Sequence, residues 1–434
     1  MVAKRNPFRP NSPVSPGMFV GRIDEVLALE QALVQTRAGQ PKHFMLTGER
    51  GIGKTSLLNY LRWVTQGDIN LESDRFRFLV IDLDIEKGTT PDTFARKIER
   101  GLTYELGKTE KARDFLKKTW NFLKRVEAYG VSVRDEKSVA NPEDILEELA
   151  YSLASTVNRI CGEPDEDDLF GERYDGVLFC IDEADNASNE LQLGAVLKLL
   201  TERLQKRGCE RVLIGLAGLQ DLREVLRESH PSVLRVFDEI SLQRLSADEV
   251  GKVIDRCIDD ANLNNIEKIS IDSDARQLLI QLSEGYPHFI QQFGYCAFAS
   301  DTDGIIDKDD VARGGFGSRG ALELIGDRYY RDDFYNRIQK ESCRQVLRIM
   351  ADRLDEWISK EEIRKRYKGQ AATLSNALKA LRDRHIILSK EGTRGVYRLQ
   401  HKGFGLWIKL YTRDDEVKSE LDLPVDEATG KGDG

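Results

Sequence analysis

Short apolar runs alternate with stretches of helical period along the first 245 residues. Phe44–Leu46, FRFLVIDLDIE at 76–86, Val177–Ile181, ERVLIGLAGLQDL at 210–222 and a short run within RVFDEISLQRL at 235–245 read as strands. Between them lie helical patterns. Val26, Leu27, Leu29 and Leu33 share one face, and Leu57, Leu58, Tyr60 and Leu61 follow the first strand. TPDTFARKIERGL starts at Thr90-Pro91, and NPEDILEELAYSLASTVNRI offers Asn141 as its cap. The KARDFLKKTWNFLKRVEAYG stretch at 111–130 is amphipathic and basic, the pattern of a solvated helix face. Strands that alternate with helices predict a three-layer α/β fold with a parallel sheet, spanning 19–245.

The rest of the chain is patterned differently. SADEVGKVIDRCIDDA opens on a capping box, Ser246 with Glu249, and begins a helical lid over 246–333 in which Gly285-Tyr286-Pro287 marks another helix start. From 334 to 412 the order is helix, helix, helix, then a hairpin turning at Gly392 and Gly395, which predicts a winged helix-turn-helix. Two flanking pieces lack such periodicity. Residues 1–18, with prolines at 7, 10, 13 and 16, predict an extended arm, and residues 413–434 predict an acidic disordered tail.

One motif organises the amino-terminal region. HFMLTGERGIGKTSLLNYL at 43–61 sets Gly48, Gly53, Lys54 and Thr55 in the GxxxxGKT spacing, between a strand and a helix. That context is what a phosphate-binding P-loop requires. Glu49, Arg50, Gly51, Ile52 and Ser56 complete the loop and the start of its helix. Backbone amides and the helix N-terminus favour phosphates; Lys54 would reach the β- and γ-phosphates of ATP, and Thr55 would ligate Mg²⁺. Val177–Ile181 then delivers Asp182 and Glu183 at a strand's carboxyl end, the Walker B pattern, with Asp182 as a metal ligand and Glu183 as the general base. Asp185 either orients a neighbour or caps the next helix.

Composition narrows the partners. The chain has 434 residues and a net charge of −9, yet 357–402 holds 12 Lys/Arg against 4 Asp/Glu. That local basic footprint predicts double-stranded DNA as a partner, through Thr373, Ser375, Asn376 and Lys379 on the third helix and Lys390 and Arg394 on the wing. A winged helix also serves as a protein–protein module, so the same surface fits a protein effector. The six cysteines form no CxxC pair, no apolar run reaches membrane-spanning length, and the amino terminus lacks a signal peptide's apolar stretch; a cytoplasmic protein is expected.

Together these motifs resemble AAA+ ATPases of the origin-recognition and archaeal-ATPase type, which grade into the STAND signalling NTPases. The resemblance runs from Asn6 to about Tyr411. It places Gly21 and Arg22, in MFVGR, beside the adenine; from the residues alone this pair reads equally as a turn into a helix with a surface arginine. It makes Tyr286, Pro287 and His288 nucleotide neighbours, His288 standing near the position of the usual sensor 2 arginine. It makes Arg235 an arginine finger acting in trans, with Arg227 second, and so implies a homo-oligomer; the alternative for Arg235 is an ion pair with Asp238 or Glu239. The strand after Walker B departs from the family pattern, with no polar side chain before Gln220 where a polar sensor 1 is usual, which implies hydrolysis that is slow or uses another group. The activity so implied is that of an ATPase switch that binds DNA, as an initiator, a transposition regulator or a phage-defence ATPase. The alternative is a STAND-like scaffold that licenses a protein effector without binding DNA.

Overall fold

The computed structural model describes residues 4–13, 18–69, 75–124, 142–162, 169–171, 173–354, 356–390 and 392–412. The proposed cap Asn141 and the tail at 413–434 lie outside these residues. The chain forms two compact units, one from Asn11 to Leu245 and one joining the first ten residues to the chain from Ser246 onward.

The first unit is built on a five-stranded parallel sheet. In chain order its elements are α1 (Ile23–Arg37), β1 (His43–Thr47), α2 (Lys54–Thr65), β2 (Phe78–Asp84), α3 (Pro91–Leu106), α4 (Glu110–Thr119), α5 (Pro142–Cys161), β3 (Gly176–Asp182), α6 (Leu193–Lys206), β4 (Val212–Gly218), α7 (Leu222–Ser229) and β5 (Phe237–Ser241). The strand order is β2-β3-β4-β1-β5. The inner strands are apolar on both faces because helices cover both faces. Leu79, Ile81, Val177, Phe179, Ile181, Ile214 and Leu216 point into a core with α3, α5 and α6. Alternate residues such as Phe44, Leu46, Leu178 and Leu213 are buried on the opposite face, where α1 and α2 pack. The three-layer α/β expectation is met.

The basic stretch from 111 departs from a continuous solvated helix. The helix ends at Thr119, and Trp120, Phe122 and Leu123 are buried, Trp120 Nε1 donating to Thr156 Oγ1 at 3.2 Å. The chain turns at Trp120 and Asn121 and is helical again at Phe122–Lys124, so the apolar face joins the core across a break in the helix.

The second unit contains α8 (Ala247–Asn264), β6 (Ser270–Ile271), α9 (Ser273–Ser283), α10 (Pro287–Ser300), β7 (Ile305–Ile306), α11 (Lys308–Phe316) and α12 (Ala321–Ile325). Two π-helical turns follow, Gly326–Tyr330 and Asp333–Arg337. Next come α13 (Glu341–Ala351), β8 (Ile358–Ser359), α14 (Lys360–Arg366), α15 (Ala371–Asp383), β9 (Ile387–Ser389), β10 (Val396–Leu399) and α16 (Lys402–Tyr411), with an antiparallel sheet ordered β8-β10-β9. The Ser246–Glu249 capping box forms, with Glu249 N donating to Ser246 Oγ and Ser246 N to the Glu249 carboxylate.

Residues 4–10 of the amino-terminal arm pack within this unit. Phe8 is buried against Gly294 of α10, Arg9 N donates to Gln291 Oε1 at 2.7 Å, and Lys4 pairs with Asp301 at 3.1 Å. Its prolines keep it extended, and the aromatic ring supplies the anchor.

Candidate nucleotide site

β1 ends at Thr47, and the chain then turns through a loop that only particular residues permit. Gly51 and Gly53 have φ of 79° and 102°, in the left-handed region where a side chain is disfavoured. A Cβ on Gly48 would stand 3.0 Å from Ile52 Cγ2 and 3.1 Å from the Leu242 carbonyl oxygen. α2 starts at Lys54 with Gly53 as its cap, so no side chain takes its first amides. An uncapped helix start at the carboxyl edge of a parallel sheet attracts anions.

The polar side chains converge on that edge. Lys54 Nζ donates to the carbonyls of Gly48 at 2.8 Å and Glu49 at 3.0 Å, which holds the ammonium across the loop. Burial lowers its pKa, and the nearby Asp185 and Asp182 carboxylates partly offset this. Thr55 Oγ1 donates to Asp182 Oδ2 at 2.8 Å, and Asp182 Oδ1 accepts from Glu183 N at 2.8 Å. Glu183 has a φ of 51°, unusual for a residue with a side chain, and its carboxylate accepts from Asn186 Nδ2 at 3.1 Å. Asp185 Oδ1 accepts from Leu219 N at 3.0 Å, so it joins the end of β3 to the turn after β4. Arg22, also left-handed at φ 64°, is buried, donates to the Ile52 carbonyl at 3.1 Å and pairs with Glu25 at 3.1 Å. Gly21 precedes it at φ 79°. The pair is thus a turn into α1, and its arginine bonds the P-loop backbone instead of lying on the surface.

These groups fit a magnesium nucleotide. A hydroxyl and a carboxylate in contact, both hard oxygen donors, suit Mg²⁺ shared with phosphate. Lys54 and the free amides of α2 offer the matching positive charge. The parallel register adds a residue the sequence reading missed: Asp84 is the register partner of Asp182 and shares its edge and pleat direction. Its signal was the acidic end of the 76–86 run.

A model of the AAA ATPase domain matches residues 18–249, more than half of the chain. The chain belongs to the AAA ATPase domain family. No curated protein matches it. Among solved structures it is similar to the Aeropyrum pernix ORC2 protein, solved as ADPNP–ADP complexes, at 16% identity over 97% of this chain and 99% of that one with a TM-score of 0.56. It also matches Cdc6p from Pyrobaculum aerophilum at 15% identity over 96% and 98%, with a TM-score of 0.45. The likeness to the Aeropyrum structure shows that this AAA ATPase shares its fold.

Arg235 ends a 3₁₀ turn at the amino end of β5, the opposite edge of the sheet, where His43 is in register with Phe237. It is exposed and lines a cavity of about 680 Å³ with Lys42, His43 and Lys198. Neither expected partner takes it: Asp238 pairs with Lys42 at 3.1 Å, and Glu239 binds Arg223 at 2.6 Å and Thr47 at 3.1 Å. Arg227 pairs with Glu224. β4 is buried and apolar throughout, as read, and Gln220 lies beyond it. Tyr286, Pro287 and His288 belong to the second unit. Tyr286 is buried, Pro287 starts α10, and His288 Nε2 lies 3.0 Å from Arg328 Nη1. Burial, then the Arg328 charge, pushes the His288 pKa down to about 4.

His43 gives the AAA core a pH dependence. It is buried, its Nδ1 accepts from Ile214 N at 3.1 Å, and burial pushes its pKa from 6.5 to about 4. Between those values the unfolded chain binds the extra proton, so stability falls as pH drops from 6.5 towards 4. We expect a loss of about 2 kcal/mol by pH 5 from this group. Urea unfolding at pH 7 and pH 5 checks it: His43→Gln should lose about that much less between the two pH values than wild type. An equal loss in both would assign the dependence elsewhere.

Proposed function

We propose that this AAA ATPase is an ATP-hydrolysing switch whose nucleotide state controls self-assembly and a DNA-binding winged helix. The observation that carries it is the Thr55–Asp182 contact at 2.8 Å beside the uncapped start of α2. The nucleotides in the Aeropyrum structure of like fold are in keeping with it.

Lys54 would leave the Gly48 and Glu49 carbonyls for the β- and γ-phosphates, a short swing within the same loop. Thr55 and Asp182 would hold Mg²⁺, which when bound offsets phosphate charge and polarises the γ-phosphoryl group. Glu183, oriented by Asn186 through its carboxylate, would take a proton from the attacking water. Arg235 would act on the nucleotide of a neighbouring copy. An exposed guanidinium whose two candidate partners are engaged elsewhere is free to take a phosphate.

The proposed DNA surface is the basic stretch at 357–402. Thr373, Asn376 and Lys379 are exposed on α15, and Lys390 and Arg394 are exposed between β9 and β10. Ser375 is less available, since its Oγ donates to the Ala371 carbonyl and accepts from Lys360 Nζ.

Duplex binding followed by fluorescence anisotropy across a salt series tests this surface. The logarithm of the binding constant should fall linearly with log salt, and Lys379→Ala with Arg394→Ala should reduce the slope by about 2. Salt-independent binding, or none, would leave the module as a protein-binding one.

A further inference from the structure

We propose that Glu284 is the clamp by which the helical segment α8–α12 carries the hairpin β9–β10 with it. α9 ends at Ser283, and Glu284 and Gly285 then both take left-handed backbone, with φ of 49° and 77°. For glutamate this conformation is unfavourable, so surrounding contacts must hold it. The contacts are specific. The Glu284 carboxylate accepts from Lys402 N at 3.0 Å through one oxygen and from Gly403 N at 2.6 Å through the other.

Those amides open α16. Its own cap residue, His401, makes no side-chain capping bond, so a carboxylate 118 residues distant does the capping. An anion at a helix N-terminus is favoured by the dipole, and two charge-assisted bonds fix its direction.

Neighbouring contacts keep the joint rigid. The Tyr286 ring lies 5.1 Å from His401. A Cβ on Gly403 would stand 2.9 Å from Tyr330 Oη and 3.4 Å from Glu284 Oε1, so a larger residue would push the two strands of contact apart. Further along α16, the buried Trp407 fills the notch at Gly326 in the first π-helical turn. On the other side, only Gln400 and His401 separate α16 from β10, the strand that closes the hairpin bearing Lys390 and Arg394. A shift of residues 284–288 must therefore move the start of α16, and β10 with it, or break both bonds to Glu284.

This clamp rests on the proposed switch, for which it supplies the linkage between nucleotide and DNA surface. The test uses the full chain. ATP affinity is measured with and without a mixed-sequence duplex, and duplex affinity with and without ATP, for wild type, Glu284→Gln and Glu284→Ala. Hydrogen exchange is followed across residues 400–405. In wild type, ATP should change duplex affinity about tenfold, and duplex should change ATP affinity by the same factor, as linkage requires. Glu284→Ala should keep each affinity, measured alone, within about twofold while the coupling falls below about twofold. Glu284→Gln should lie between, since it keeps an acceptor and loses the charge. Exchange at 402–403 should respond to ATP in wild type and be fast and unresponsive in Glu284→Ala. Coupling that survives Glu284→Ala, or ATP binding that leaves exchange at 402–403 unchanged in wild type, would overturn the clamp alone. Wild type without any coupling would overturn the switch itself.

Discussion

Lys54→Ala should weaken ATP binding at least about 100-fold, roughly 2.7 kcal/mol or more, while leaving the fold intact. In the proposed function Lys54 is the ammonium that would meet the β- and γ-phosphates, and its partners in this structure are two loop carbonyls that it would exchange for phosphate oxygens. Its pKa is already lowered by burial, so the site carries a desolvation cost that phosphate contact would relieve. Alanine removes that cost along with the contact, and α2 keeps its apolar anchors Leu57, Leu58 and Leu61. Calorimetric titration with ATP·Mg²⁺, beside thermal unfolding, checks both halves. Full affinity in the variant would mean that the loop amides alone hold the nucleotide.

Glu183→Gln should separate binding from hydrolysis. ATP affinity should stay within about threefold, whereas turnover should fall by about 10²–10⁴. Glutamine keeps the length of the side chain and its hydrogen bond to Asn186, which orients the group at 3.1 Å. It loses the capacity to take a proton. The backbone is equally committed: Glu183 N donates to Asp182, so the proposed metal carboxylate and the proposed base are held by one strand end. Phosphate release measured at saturating ATP reads the effect. Unchanged turnover would move the proton acceptor to another carboxylate at this edge, Asp84 first, because it is the register partner of Asp182.

What the sequence disclosed was mostly local. A consecutive apolar run, a glycine loop and a helix report themselves within twenty residues, so β1, the P-loop and α2 could be read directly. The strand bearing Asp182 was legible for the same reason. Features made by register or by distant packing were not. Nothing near Asp84 says that it will lie beside Asp182, and nothing near Asp185 says that it will bind the amide of Leu219. Arg22 looked like either a surface or a site residue until its guanidinium met the Ile52 carbonyl. The isolation of Arg235 depends on where Lys42 and Arg223 point. The arm was read as extended, which its prolines dictate, but the burial of Phe8 against Gly294 follows from helix α10 and not from the arm's own composition. Likewise nothing near Thr119 says that the helix will turn there and that Trp120 will be buried beside Thr156.

In the proposed switch Arg235 would link the chemistry of one copy to another, so the most direct measurement is molar mass in solution by light scattering, with and without ATP·Mg²⁺. Wild type, Glu183→Gln and Arg235→Ala would be compared at equal concentration. The account predicts that ATP drives wild type into a larger species, that Glu183→Gln remains in it, and that Arg235→Ala stays monomeric with ATP bound. A wild-type chain that binds ATP and remains a monomer, or an Arg235→Ala variant that assembles as wild type does, would contradict it.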